Sequence, residues 1–347
     1  MPLSSNDIWQ HLNGLTKPLG SLGRLEELAA RLCEVQQTLS PQTSPRRLVI
    51  FAGDHGVASA GVTIWSSAVT SLMLTNMCNG GAASTVFARQ TGTEAVLVNV
   101  GTVDDPITEP PSESSGIRYR SRRVCHGTRN LAIEPALNSN EFQQAWKIGE
   151  DEARAAANEQ VRVVIAGEMG IGNTTPASCL AMLLADVPLA DAIGQGAGAN
   201  ETSLDRKRRV VDQAVARARE LWKSNPVAAI ASVAGLELVA MAGFFMEAQR
   251  SGMTILLDGA VASSAALIAE HQSPGVSRAM IAAHLSTEPT HRAILERLKL
   301  TPFLDWNLRL GEGTGALLLL PLLDAAAAMV SQMATLESFG ISPKVNS

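Results

Sequence analysis

Four short apolar runs, each reaching a glycine and most with an acid beside it, constrain the fold of this chain more than any other feature. Leu48-Val49-Ile50-Phe51 leads into Ala52-Gly53-Asp54-His55-Gly56, and Ala95-Val96-Leu97-Val98 into Asn99-Val100-Gly101. Val161-Arg162-Val163-Val164-Ile165 leads into Ala166-Gly167-Glu168, and Thr254-Ile255-Leu256-Leu257 into Asp258-Gly259. Each reads as a buried strand, and the Ala- and Leu-rich stretches between them are long enough for crossover helices. This alternation predicts an α/β fold with a mainly parallel, Rossmann-like sheet flanked by helices. Such sheets bind ligands at the carboxyl ends of their strands, so Asp54, Glu168 and Asp258 should gather on one edge.

The composition agrees. Of 347 residues, 46% are hydrophobic and 18% charged, enough apolar surface for a large core. Aromatics are only 4%, which suits small-residue helices packed closely on a sheet. The net charge of −5 argues against nucleic acid as the main partner, although a local basic patch could hold one phosphate. Cys33, Cys78, Cys125 and Cys179 match neither a CxxC metal site nor a disulfide scaffold, so reduced thiols in a cytoplasmic protein are expected. Met1 to Gln10 is polar and holds no signal-peptide stretch. The most apolar segment, Ala316 to Val330, contains Pro321 and Asp324 and falls short of the roughly 20 residues that span a bilayer, so it reads as a buried helix and no membrane partner is expected.

Before the first strand, Ser4-Ser5-Asn6-Asp7 is a capping cluster and Leu22 to Leu39 carries helical apolar spacing, until Ser40 to Pro45 breaks the pattern. Asp105 to His126 has no clear periodicity and reads as an irregular excursion.

Three segments could carry chemistry. In Gly167-Glu168-Met169-Gly170-Ile171-Gly172-Asn173-Thr174-Thr175-Pro176 a strand enters a glycine-rich turn that opens a helix, where free N–H groups favour an anion. The Gly-Lys-Ser/Thr ending of a Walker loop is absent, and the ordinary alternative is a helix start capped by Asn173 or Thr174. A second glycine loop, Gly194-Gln195-Gly196-Ala197-Gly198-Ala199-Asn200, precedes the basic cluster Asp205-Arg206-Lys207-Arg208-Arg209. A lysine there could reach a phosphate, or the cluster could be a solvated helix face. In Leu310-Gly311-Glu312-Gly313-Thr314-Gly315, flanking glycines leave room for a flat ligand against a glutamate, and the apolar helix that follows could raise its basicity. It could also be an ordinary solvated loop acid.

Asp54-His55 suggests metal binding or acid–base work, but no third ligand stands at diagnostic spacing. His284, Glu288 and His291 fail to form His-Glu-x-x-His and read as supporting residues. Val98 to Asp105 is similar to the acidic loop of enzymes that use phosphoribosyl pyrophosphate, yet no Thr-Gly-Gly-Thr loop follows. Neither that donor nor its magnesium is expected. No metal or cofactor is expected at all.

Together the motifs resemble the nicotinate-nucleotide–dimethylbenzimidazole phosphoribosyltransferases of cobalamin assembly. The resemblance runs from about Leu15 to Gln332 and rests on five segments in order: Lys17 to Glu26, Phe51 to Val57, Gly167 to Ala177, Leu256 to Gly259, and Leu308 to Ala316. It implies a homodimeric enzyme with a large nucleotide-binding domain at 46–300 and a small helical domain formed from 1–45 plus 301–347. The reaction implied moves phosphoribose from nicotinate mononucleotide to a benzimidazole. The family's catalytic glutamate falls on Glu312 and a second functional acid on Glu168. Lys207 matches its phosphate-site lysine, and Gly170, Gly172, Asn173 and Thr174 fall in its nucleotide-binding loop. Gly311, Gly313 and Asp258 are implied substrate contacts, and Trp65, Met73 and Leu310 an acceptor pocket.

Two departures stand out. Ile64-Trp65-Ser66-Ser67 replaces the aromatic-proline pair of many relatives, so the accepted base could be another benzimidazole, a purine or a phenol. Ala283 precedes His284 where relatives often have serine. A glycohydrolase using water, or a nucleotide binder without catalysis, are the other readings of the same scaffold.

Overall fold

The computed structural model describes residues 3–194 and 200–340. Its main sheet has six parallel strands: β1 (Arg46–Gly53), β2 (Glu94–Gly101), β3 (Ile117–Ser121), β4 (Val163–Met169), β5 (Thr254–Leu257) and β6 (Met280–Ala282). Their order is β3-β2-β1-β4-β5-β6. The chain builds outward from β1 on one side, then crosses back to lay β4 on the other. The strand order therefore reverses between β1 and β4, which opens a crevice at their carboxyl ends. A two-stranded parallel sheet of β7 (His284–Ser286) and β8 (Leu304–Leu308) lies beside that end.

The four expected strands are β1, β2, β4 and β5. The irregular excursion at 105–126 needs correcting, because it contains β3, which pairs with β2 from Ala95↔Ile117 to Asn99↔Ser121. As an edge strand with a half-exposed face, β3 needs no continuous apolar run, so Ile117-Arg118-Tyr119-Arg120-Ser121 gives little signal.

Alternation along the strands splits the core into two layers. Val49, Phe51, Val96, Val98, Val164 and Ala166 face one layer. Leu48, Ile50, Leu97, Val163 and Ile165 face the other, which also holds Ile8, Leu28, Leu32, Leu317 and Leu320 from the chain-end helices Ser5–Asn13, Arg24–Gln36 and Thr314–Gln332. A β-bridge between Leu15 and Thr335 ties the two end segments together. The helix Thr314–Gln332 is longer than its apolar stretch suggested, and by length and composition it could cross a membrane. In this fold its Leu317, Leu319, Leu320 and Leu323 are fully buried.

In the first layer the helices Ser139–Asn158 and Leu236–Arg250 touch backbone to backbone. A Cβ on Gly149 would strike the carbonyl of Ala240, and one on Gly243 the carbonyl of Trp146. This close seat fixes the start of Leu236–Arg250, and with it Glu237.

Candidate active site

A cleft of about 340 Å³ opens at the carboxyl ends of β1, β4 and β5. Glu168, at the end of β4, and Asp258, just after β5, both line it. So do Gly170, Gly172, Asn173, Thr174, Lys207, Gly311 and Glu312, with Trp65, Met73 and Leu310 on an apolar flank. Segments more than 240 residues apart meet here because adjacent parallel strands end side by side. Gly313 does not line the cleft. It packs on Leu48 and Ile165, where a Cβ would come within 2.6 and 3.0 Å.

Glu312 sits at the mouth of the helix Thr314–Gln332, in a turn whose three residues all have left-handed backbone: φ is 85° at Gly311, 59° at Glu312 and 80° at Gly313. Asp258 holds this turn from the neighbouring strand. Its Oδ2 accepts from the Gly313 N–H and its Oδ1 from the Ala316 N–H, both at 3.1 Å. It thereby caps a helix that has no local side-chain cap. The glycines also let the loops of the two acids pack closely. A Cβ on Gly311 would collide with the Glu168 carboxylate, and one on Gly167 would lie 2.5 Å from the Glu312 carbonyl. Their lack of a side chain permits that contact, and Gly311 also lines the cleft.

Both acids are buried, Glu312 at 4% exposure and Glu168 at 7%. Burial raises the Glu312 carboxyl above its ordinary value, the Ser84 hydroxyl and N–H pull it back, and Asp258 pushes it further up. Ser84 Oγ donates to Glu312 Oε2 at 2.8 Å. Glu168 is held well above the ordinary carboxylate range by burial first, then by the charges of Glu237, Asp258 and Glu312. Its Oε2 accepts from the Asn173 amide. Asn173 therefore does not cap the helix Thr174–Leu184; its Thr175 N–H donates to the Gly172 carbonyl at 3.0 Å and its third residue, Pro176, has no N–H, which leaves the Thr174 N–H at the helix mouth.

Lys207 separates from its cluster. Arg206, Arg208 and Arg209 are exposed, whereas Lys207 is 1% exposed. Its ammonium donates to Thr174 Oγ1 at 3.0 Å and to the Gly194 carbonyl at 3.3 Å. Burial lowers its pKa, partly offset by Glu288. Of the second glycine loop, residues 195–199 lie outside the described residues.

Asp54 and His55 do not line the cleft. Asp54 Oδ2 accepts from the Val103 N–H at 2.8 Å, tying β1 to the loop after β2. His55 Nε2 lies 2.9 Å from Glu237 Oε1, with both side chains fully buried. His284 lines the cleft, its Nε2 3.5 Å from Asp258 Oδ1. His291 is buried behind it. Its Nδ1 accepts from the Ser286 N–H, which leaves the proton on Nε2, facing Ser263 Oγ at 3.0 Å. Burial and then His284 push His291 down to about 3, so it is neutral. No group of three or more potential metal ligands occurs among the described residues.

Ser84, Glu237 and Arg309 were not singled out in the sequence. Glu237 had a signal: it is the only acid in the otherwise apolar first two turns of its helix. Ser84, in Gly80-Gly81-Ala82-Ala83-Ser84, had none beyond small residues. Arg309, exposed at the cleft's edge, was quoted only within the Leu308 to Ala316 segment.

The arrangement supplies two acids with raised pKa, a buried lysine bonded to Thr174 at a helix start, and an apolar flank. A family model described as phosphoribosyltransferase matches residues 3–341. The nicotinate-nucleotide–dimethylbenzimidazole phosphoribosyltransferase of Ralstonia nicotianae is 43% identical over 328 residues, covering 94% of this chain and 90% of its own. The protein of that name from Salinispora tropica is 40% identical over 338 residues, covering 95% and 93%. Among solved structures, CobT from Thermus thermophilus superimposes with a TM-score of 0.91 at 39% identity, over 97% of this chain and 98% of that one.

Proposed function

The chain belongs to the nicotinate-nucleotide–dimethylbenzimidazole phosphoribosyltransferase family, and from that premise we propose that its cleft moves phosphoribose from nicotinate mononucleotide to 5,6-dimethylbenzimidazole or a related base. The products are alpha-ribazole 5'-phosphate and nicotinate. The observation that carries the assignment of roles is the convergence of Glu168 and Glu312 on one cleft with Lys207.

The donor phosphate sits at Lys207, at the Thr174 hydroxyl and at the Thr174 N–H that opens the helix Thr174–Leu184. Nicotinate leaves as its C1'–N bond breaks, its pyridinium nitrogen taking the bonding pair and becoming neutral. The ribose carbon gains positive charge, which the Glu168 carboxylate, once ionised, stabilises. One benzimidazole nitrogen forms the new C1'–N bond, and Glu312 accepts the proton from the other. Burial gives Glu312 a basicity above that of an ordinary carboxylate, which suits that transfer. Trp65, Met73 and Leu310 would flank the acceptor, and holding both rings in one cleft supplies the positioning advantage.

The family also supports a cytoplasmic homodimer with a large domain at 46–300 and a small one at 1–45 plus 301–347. Large exposed apolar side chains on the chain-end segments, among them Leu19, Trp306 and Phe339, favour a subunit contact there.

The test is incubation with nicotinate mononucleotide, with and without dimethylbenzimidazole, followed by mass analysis. Ribosylated base formed only with acceptor is the expected result. Nicotinate release without acceptor would make the protein a glycohydrolase, and binding without turnover a nucleotide binder.

A further inference from the structure

Behind the Glu168 loop lies an ionisable pair that the reaction as described does not use. His55 Nε2 and Glu237 Oε1 are 2.9 Å apart, both side chains at 0% exposure. Beyond this ion-pair contact, His55 Nδ1 and Nε2 and Glu237 Oε1 and Oε2 have no hydrogen-bond partner among the described residues. A buried carboxylate without hydrogen bonds is costly unless a cation answers it. His55 is placed to answer it: burial disfavours its charged form, but Glu237 and then Asp54 outweigh burial and raise its pKa above the ordinary imidazole value.

Three glycines crowd the pair, and two of them, Gly235 and Gly170, leave no room for a side chain. A Cβ on Gly235 would lie 2.5 Å from both His55 Cε1 and Glu237 Oε2. One on Gly53 would lie 3.2 Å from Glu237 Oε2. One on Gly170 would lie 3.1 Å from His55 Nε2 and strike the Gly53 carbonyl. Gly170 follows Glu168 by two residues and precedes Asn173, which binds the Glu168 carboxylate. The imidazole ring is thus the floor under this loop. The groups facing His55 are Glu237 from the helix Leu236–Arg250 and Asp54 from the end of β1. Those facing Glu168 are Glu237, Asp258 and Glu312, and among these charges Glu237 acts most strongly.

We propose that His55 and Glu237 are a positioning pair for this reaction: the ring seats the Gly170–Asn173 loop, and its ion pair with Glu237 partly offsets the Glu237 charge that Glu168 faces. The proposal rests on the function given above. It explains why a charged pair is kept where an apolar pair would be cheaper to bury. Glu168 must lose a proton to serve a cationic ribose carbon, and an uncompensated Glu237 behind it would oppose that loss.

The test is the pH dependence of kcat/KM for nicotinate mononucleotide in wild type, His55→Asn, Glu237→Gln and the double variant, with thermal unfolding as a check on folding. The rate of the wild type rises with pH as the coupled acids of the cleft ionise. In His55→Asn this acid limb should move up by about one pH unit, the size of a single nearby charge. The double variant, neutral at both positions, should return it to the wild-type position. A limb unmoved in His55→Asn, or equally raised in the double variant, overturns the proposal, because a purely structural role damages both alike. Should His55→Asn fail to fold, Glu237→Gln carries the test. It removes the charge and lets the buried ring go neutral, so its limb should lie at or below that of wild type, and a higher limb is the overturning result. Absence of ribosylated base with wild-type protein defeats the underlying function instead. The same limb is then read from the pH dependence of nicotinate mononucleotide binding.

Discussion

Ser84 Oγ donates a 2.8 Å hydrogen bond to Glu312 Oε2 in a buried setting, so a residue on the helix Ala83–Gln90 partners the acid on a loop 228 positions later. The bond favours the ionised carboxylate. A base works only when deprotonated, so activity rises with pH through the Glu312 ionisation. Ser84→Ala removes a stabiliser of the anion and raises that ionisation further. The acid limb of kcat/KM should shift up by about one pH unit, the scale of a hydrogen bond to a charged group. Measured profiles that coincide would remove Ser84 from the mechanism.

Replacing the base itself is the stronger perturbation. Glu312→Gln should lose at least about a hundredfold in kcat, the usual scale of general base catalysis, with nicotinate mononucleotide binding retained. Glutamine meets the same φ of 59°, so the turn should persist and calorimetry should show wild-type affinity. Near-normal turnover would sink the assignment.

Lys207→Met should act on the donor rather than on the chemistry. Losing one buried charge-assisted contact to phosphate costs about 2–5 kcal/mol, so KM for the mononucleotide should rise at least about thirtyfold. Because burial lowers the lysine's own pKa, wild-type affinity should weaken on the alkaline side sooner than for an exposed lysine. Methionine abolishes that alkaline limb if Lys207 holds the phosphate.

Glu168→Gln should expose a trade between stability and activity. Its carboxyl is raised in the folded state, so between the unfolded value and the higher folded one the native protein binds more protons, and stability falls as pH rises. A neutral amide escapes that loss. The variant should therefore gain Tm relative to wild type at pH 8 more than at pH 5, while losing activity. Equal differences at both pH values would show that Glu168 carries no such strain.

Gly149→Ala tests how the helix packing reaches the chemistry. The added methyl strikes the Ala240 carbonyl and forces the two helices apart, at a cost of about 1–3 kcal/mol. The expected result is a lower Tm with the acid limb of kcat/KM moved through Glu237.

The central strands were legible because buried parallel strands must be continuously apolar, and Ile50, Val98, Ile165 and Leu256 advertise that. The edge strand Ile117–Ser121 escapes that requirement, and the three-residue strands Met280–Ala282 and His284–Ser286 are too short to show a period. In the site, acids at strand ends were legible for the same geometric reason. Asn173 read equally well as a cap or a ligand, and only its turn toward Glu168 distinguishes the two. Ser84 and the His55–Glu237 pairing depend on tertiary proximity across 228 and 182 positions, which no local pattern encodes.

The cleft draws its parts from separate carriers. Trp65 and Met73 come from the segment before and within the helix Ala68–Cys78, Lys207 from the helix Glu201–Trp222, and Glu312 from a turn aimed by its own backbone and by Asp258. Under the proposed roles, the choice of acceptor and the chemistry performed on it are inherited independently. Lineages could exchange one aromatic base for another by substitutions around Trp65 and Met73 while the proton acceptor and the donor seat stay as they are. A lower-ligand preference would then be an evolvable trait laid over a fixed reaction.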